Sequence, residues 1–138
     1  FIVMESPNPE SNFDVFLAKN IDGTPTLYGI AEIKSRITAG GKPVTISFLK
    51  ENGGYLISNS KITEGAIVSS LLKVPFYIIV SLMAEDKILV WKITDNAGNI
   101  LEYNQVEVTK TACTINGGVA YRENAFLSMD SKNLKILE

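Results

Sequence analysis

The sequence predicts an α/β fold, a mixed β-sheet with a helix laid on it, and three observations predict it. Three β-rich runs with short connections open the chain, at Phe1–Met4, Phe13–Lys19 and Thr26–Arg36. One helical stretch, Lys61–Lys73, sits mid-chain. Directly after it comes Phe76-Tyr77-Ile78-Ile79-Val80-Ser81-Leu82-Met83, which is β-rich and almost wholly apolar, so it reads as a strand buried on both faces. The first three runs make an antiparallel meander, and the helix crosses from it to the buried strand.

Each element has a local reason. Ser6-Pro7-Asn8-Pro9 is turn chemistry, and Asp22-Gly23 inside Asn20–Pro25 favours a hairpin. Thr38–Pro43 reads as a loop. Val44–Glu51 has two readings: a strand, from Val-Thr-Ile-Ser-Phe-Leu, or a short helix with Pro43 at its first position. Asn52-Gly53-Gly54 ends it, and Tyr55-Leu56-Ile57 is a brief apolar segment. Asn59 or Ser60 suits the N-cap of the central helix. Its apolar stripe reads as Ile62, Ala66, Ser69 and Leu72, with Val68 and Leu71 alongside, and Pro75 stops it. Lys87–Thr94 is a further strand, and Asp95–Asn99 a turn. Ile100–Lys110 alternates loosely. The segment from Thr114 through Asn116-Gly117-Gly118 to Leu127 is loop-rich, with a short strand or turn at Asn124–Leu127. Phe76, Tyr77 and Trp91 read as core. No repeat or domain boundary is visible, so residues 1–138 read as one domain.

Composition narrows the chemistry. Hydrophobic residues are 46% and charged residues 20%, an ordinary globular balance that excludes a disordered chain. The longest apolar run falls far short of the ~20 residues that span a bilayer, so no membrane partner is expected. Phe1-Ile2-Val3-Met4-Glu5 has no basic flank, hence no signal peptide, and a start at Phe suggests a fragment. Cys113 is the single cysteine, so no intrachain disulfide forms, which suits a cytoplasmic protein. There is no histidine. Ser-His-Asp hydrolysis, histidine-based zinc sites and histidine general-base nucleases are thereby excluded. Any metal must rest on oxygen ligands, which points to magnesium or manganese. Between Ala31 and Pro75, six basic residues (Lys34, Arg36, Lys42, Lys50, Lys61, Lys73) face three acidic ones (Glu32, Glu51, Glu64), in a chain of net charge −2. A phosphate-binding face needs such a local excess; a solvated helix face gives the same count.

The chemistry-bearing stretch is Leu27-Tyr28-Gly29-Ile30-Ala31-Glu32-Ile33-Lys34-Ser35-Arg36. Glu32 and Lys34 are two apart on a strand, so both leave one face. Arg36 continues that face. Asp14 stands at the start of the preceding strand. As plain structure, Glu32 and Lys34 would be a solvated pair of little worth, and Asp14 a turn cap.

Asp14 followed one hairpin later by Glu32-Ile33-Lys34, then a helix and a core strand, resembles the PD-(D/E)XK phosphodiesterase superfamily, including its phage-type and resolvase-like nucleases. The resemblance covers residues 1–94. It implies a restriction-endonuclease-like fold, a central mixed β-sheet flanked by helices, and an endonuclease that hydrolyses phosphodiester bonds in DNA using Mg2+ (or Mn2+). Asp14, Glu32 and the Ile33 carbonyl would ligate the metal. Asp14, Glu32 and Lys34 would be catalytic, with Lys34 beside the attacking water. Arg36 and Lys61 would contact nucleic acid. A phage-encoded origin and a homodimer that cuts two strands follow from the same resemblance. Many members place a helix before the first strand, and this sequence shows none. The alternative is therefore a catalytically inactive restriction-like domain that binds DNA or serves assembly.

Overall fold

The computed structural model describes residues 2–5, 13–101, 106–111 and 120–138. The meander is present as β1 (Ile2–Glu5), β2 (Val15–Ile21) and β3 (Thr24–Arg36), paired antiparallel in that order. Asp22 and Gly23 join β2 to β3, both with positive φ (50° and 82°). That is the twist a tight hairpin needs, and Asp-Gly supplies it at little steric cost. The loop expected at Thr38–Pro43 is itself a small hairpin, β4 (Thr38–Ala39) and β5 (Lys42–Pro43), turned by Gly40-Gly41.

Of the two readings of Val44–Glu51, the helix holds, as α1 (Ile46–Glu51). It starts after Pro43 because Thr45 caps it: the Thr45 hydroxyl accepts the Phe48 N–H at 3.1 Å, and the Glu85 carboxylate accepts the Ile46 N–H. Tyr55-Leu56-Ile57 extends into β6 (Tyr55–Ser58). The central helix is α2 (Asn59–Leu72), with Ser58 at the N-cap, one residue before the expected choices. Lys73 closes it in the left-handed conformation, its N–H donating to the Ser69 carbonyl.

The apolar stripe of α2 differs from expectation. Ile62, Gly65 and Ser69 are buried, whereas Leu71 is 76% exposed and Leu72 lies outside the core. Gly65 decides this. A Cβ there would sit 2.4 Å from the Phe76 ring, so the helix turns its thinnest face to the sheet. Sheet contact selects small residues over large ones at this crossing.

After α2 the chain enters β7 (Phe76–Leu82), parallel to β3, with Ile30 opposite Phe76, Glu32 opposite Ile78 and Arg36 opposite Leu82. β8 (Lys87–Lys92) pairs antiparallel with β7. A second sheet has the order β6, β10 (Ala120–Leu127), β9 (Val106–Thr111). β11 (Leu134–Leu137) completes the main sheet, whose order is β1-β2-β3-β7-β8-β11. The fold is thus mixed α/β, with a central six-stranded mixed sheet. The turns read at Ser6–Pro9 and Asn116-Gly117-Gly118, and Cys113, lie outside the described residues.

One hydrophobic core joins these parts. Ile30, Phe76, Ile78, Val80, Leu82, Leu89 and Trp91 from one sheet face pack with Leu49 of α1, Ile62 of α2, Tyr55 and Ile57 of β6, and Leu127 of β10. Both helices therefore lie on this face. β7 alternates accordingly: Phe76, Ile78, Val80 and Leu82 are buried, but Tyr77, Ile79 and Ser81 are only half-buried, so the strand is sealed on one face and not both. Phe76 and Trp91 are core as expected, and Tyr77 is not fully so. A buried polar link fixes the end of α2 to the sheet. Ser69 Oγ donates to the Val74 carbonyl (2.6 Å) and lies 2.7 Å from Thr94 Oγ1, which accepts the Phe76 N–H at 2.9 Å. Among the described residues no helix is long and apolar enough to cross a membrane.

Candidate functional site

Along β3 the core face passes from Ile30 through Glu32 and Lys34 to Arg36, from sealed apolar to charged. Glu32 stands at that boundary and is 1% exposed. Its Oε1 is 2.9 Å from Lys34 Nζ and 3.4 Å from Lys61 Nζ. Both lysine side chains are about one-third exposed, at 33% and 35%. A solvated surface pair, the plain structural reading, does not describe this arrangement, because the carboxylate is out of water. Desolvating it costs several kcal/mol, which close cations must offset. Two cations converge on one oxygen, while Oε2 is buried and has no hydrogen-bond partner. The carboxylate is thus held by one oxygen and left with acceptor capacity on the other.

Asp14 sits beside this strand and is exposed. Its N–H donates to the Ala31 carbonyl (2.9 Å) and its Oδ2 accepts the Ile33 N–H (2.8 Å). The side chain stands in for the ladder acceptor that β2, beginning at Val15, does not supply. Asp14, Glu32 and Ile33 are therefore grouped around one strand segment, with Oδ2 of Asp14 committed to the backbone. Among the described residues no three His, Cys, Asp or Glu side chains form a metal-holding group. Any cation here would rest on the two carboxylates with backbone or solvent oxygens. Glu32 Oε2 fits that use, being a buried oxygen with nothing else to bind.

Lys61 reaches the site because α2 begins at Asn59 and delivers its first turn over β3. Arg36 shares the face of Glu32 and Lys34, and its guanidinium carbon is 5.6 Å from the centroid of the Tyr55 ring. Sequence reasoning missed Tyr55, which is 3% exposed and stacks on Trp91 with centroids 5.9 Å apart. Its only signal was a tyrosine, rather than a phenylalanine, in a short apolar run after Gly53-Gly54. Burial pushes the Tyr55 phenol above its ordinary pKa, against the smaller lowering influence of the Arg36 and Lys34 cations and of an Arg36 N–H directed at the phenol oxygen; Glu32 adds slightly to the rise. It therefore stays an O–H donor at neutral pH. A separate polar cleft of about 460 Å3 opens at the start of α2, lined by Ser58, Asn59, Ser60, Thr63, Arg122 and Glu123. It includes none of Asp14, Glu32, Lys34 or Arg36.

The arrangement sets two ammonium groups at one carboxylate oxygen, leaves the other oxygen without a partner, and carries the Arg36 guanidinium along the same face. Set against family models, curated proteins and solved structures, the chain matches none, so its function has to be argued from this cluster.

Proposed function

We propose that this chain is a Mg2+-dependent (or Mn2+-dependent) endonuclease domain acting on DNA, with a restriction-endonuclease-like core in which Asp14, Glu32 and Lys34 are catalytic. The observation that carries the proposal is the buried Glu32 carboxylate, gripped at Oε1 by Lys34 and Lys61 while Oε2 has no partner. A chain selected for stability alone gains little from such a group, since a buried ion pair is often no better than apolar side chains of equal volume. The order of elements supports the same reading: a meander with Asp14 before its second strand, Glu-x-Lys on its third, then α2 and a parallel strand.

Asp14, Glu32 and the Ile33 carbonyl would hold the metal. A bound divalent ion lowers the pKa of its water and neutralises charge on the phosphoryl group. Lys34, already seated at Glu32, orients the attacking water and offsets charge at the phosphate. Arg36 and Lys61 extend the positive surface along the DNA backbone. A second copy would serve to cut the opposite strand. The test is incubation of the protein with linear, nicked and branched DNA in Mg2+ or Mn2+. Cleavage that chelation stops and Lys34→Ala removes supports the reading; intact DNA on every substrate and with both metals sinks it.

One observation favours a second reading. Asp14 spends one oxygen on the Ile33 N–H, and no third acidic side chain joins the pair among the described residues. An inactive restriction-like domain that binds DNA or serves assembly would have this form. Calorimetry with Mg2+ or Mn2+ separates the two, because the inactive domain shows no saturable metal site.

A further inference from the structure

Two buried side-chain atoms lack a hydrogen-bond partner among the described residues, Glu32 Oε2 and the Tyr55 hydroxyl. The first belongs to the carboxylate cluster. The second is on β6, outside every residue the nuclease reading uses. A buried hydroxyl whose proton has no acceptor counts against folding, and phenylalanine would fill the same space without it. The ring itself is well placed. It stacks on Trp91, and Trp91 is opposite Ile78, which is opposite Glu32, so one row of the sheet ties Tyr55 to the carboxylate. Arg36 lies across the same ring, its side chain exposed and one guanidinium N–H donating to the Ser35 carbonyl at 2.9 Å. Glu32, Lys34 and Arg36 all act electrostatically on the phenol, and the Arg36 guanidinium, a donor only, can reach the phenol oxygen but leaves the O–H proton without an acceptor.

We infer that Tyr55 and Arg36 form a second phosphate-binding subsite beside Glu32 and Lys34, taking a phosphodiester group of the nucleic-acid backbone next to the one attacked. Arg36 captures the anion. As its side chain moves off the ring with that anion, the Tyr55 O–H donates to a phosphate oxygen. A guanidinium, which only donates, beside a neutral phenol with a free O–H proton suits a phosphate oxygen. This subsite rests on the reading of the cluster as a phosphodiester site, and it needs no metal.

The experiment titrates a 5′-phosphorylated trithymidylate into the full chain in EDTA, reading the fluorescence of Trp91, the chain's single tryptophan. A saturable change is expected, with affinity lowered roughly 10- to 100-fold in Tyr55→Phe, the range of one hydrogen bond to a charged group. Arg36→Gln should lower it as well. Tyr55→Phe should keep or raise the urea midpoint, because the buried O–H proton it removes has no acceptor among the described residues. Unchanged affinity in Tyr55→Phe overturns the subsite, and so does a lowered urea midpoint, which would make the hydroxyl structural. If no DNA is cleaved yet binding is lost in Tyr55→Phe, the nuclease reading falls and the subsite stands. If DNA is cleaved and binding ignores Tyr55, the subsite falls alone.

Discussion

Lys61 Nζ lies 3.4 Å from Oε1 of Glu32, joining the first turn of α2 to the middle of β3. Lys34 holds the same oxygen at 2.9 Å. Each lysine therefore backs up the other. Lys61→Ala alone should cost no more than about 1 kcal/mol, since Lys61 is partly solvated and Lys34 still faces the carboxylate. Removing both lysines leaves a buried charge uncompensated, a loss of about 3–5 kcal/mol. Urea unfolding of the two single variants and the double variant should show a strongly non-additive cycle. Additive losses would mean that the two ammonium groups do not share one partner.

The catalytic reading separates two kinds of loss. Lys34→Ala should retain Mg2+ binding by calorimetry while turnover drops roughly 10²- to 10⁴-fold, the usual worth of a positioned proton-transfer or water-orienting group. Asp14→Ala should weaken Mg2+ binding itself. Glu32→Met should abolish cleavage yet leave stability equal or improved, because apolar groups commonly replace buried ion pairs without loss. A Glu32→Met chain that unfolds would make the carboxylate structural.

Much of this was legible before folding, and what was not has a common cause. Strand alternation and the Asp22-Gly23 turn located β2 and β3, and two-residue spacing put Glu32, Lys34 and Arg36 on one face. These are local rules acting on local residues. Burial of Glu32 was not local. It depends on α2 landing over β3, which depends on Gly65 meeting Phe76. For the same reason Lys61 could be read as a nucleic-acid contact but not as a partner of Glu32. Tyr55 read only as part of a brief apolar segment because an aromatic residue reveals its hydroxyl's partner, or want of one, only in three dimensions. β11 escaped notice since Leu134–Leu137 is an edge strand largely open to solvent, with a weak pattern of its own.

Gly65→Ala tests the helix crossing directly. The added methyl would meet Phe76, a fully buried ring with no room to swing aside. Overpacking of this kind typically costs 1–3 kcal/mol, against which alanine's better helix propensity returns at most about 1 kcal/mol. A net loss in thermal stability is expected. A shift of α2 would also move Lys61 off Glu32, so cleavage should fall alongside. Unchanged stability would show that α2 does not rest on β7 at this point.

Alkaline pH gives a test of Tyr55 independent of any substrate. Its phenol titrates higher in the folded chain than in the unfolded one, chiefly because burial disfavours the phenolate. The folded state then holds this proton more tightly. The resulting stability is fully present below the unfolded value near 10 and is lost as pH rises through the folded value. Tyr77 is shifted the same way, by burial first and by its hydrogen bond with Tyr28 second, so it adds to the same fall. Urea midpoints of the parent chain and of Tyr55→Phe, compared between pH 8 and 11, isolate the one phenol. The fall should be shallower in Tyr55→Phe. Parallel curves would show that Tyr55 titrates as freely in the folded chain as in the unfolded one, and that its hydroxyl is open to water.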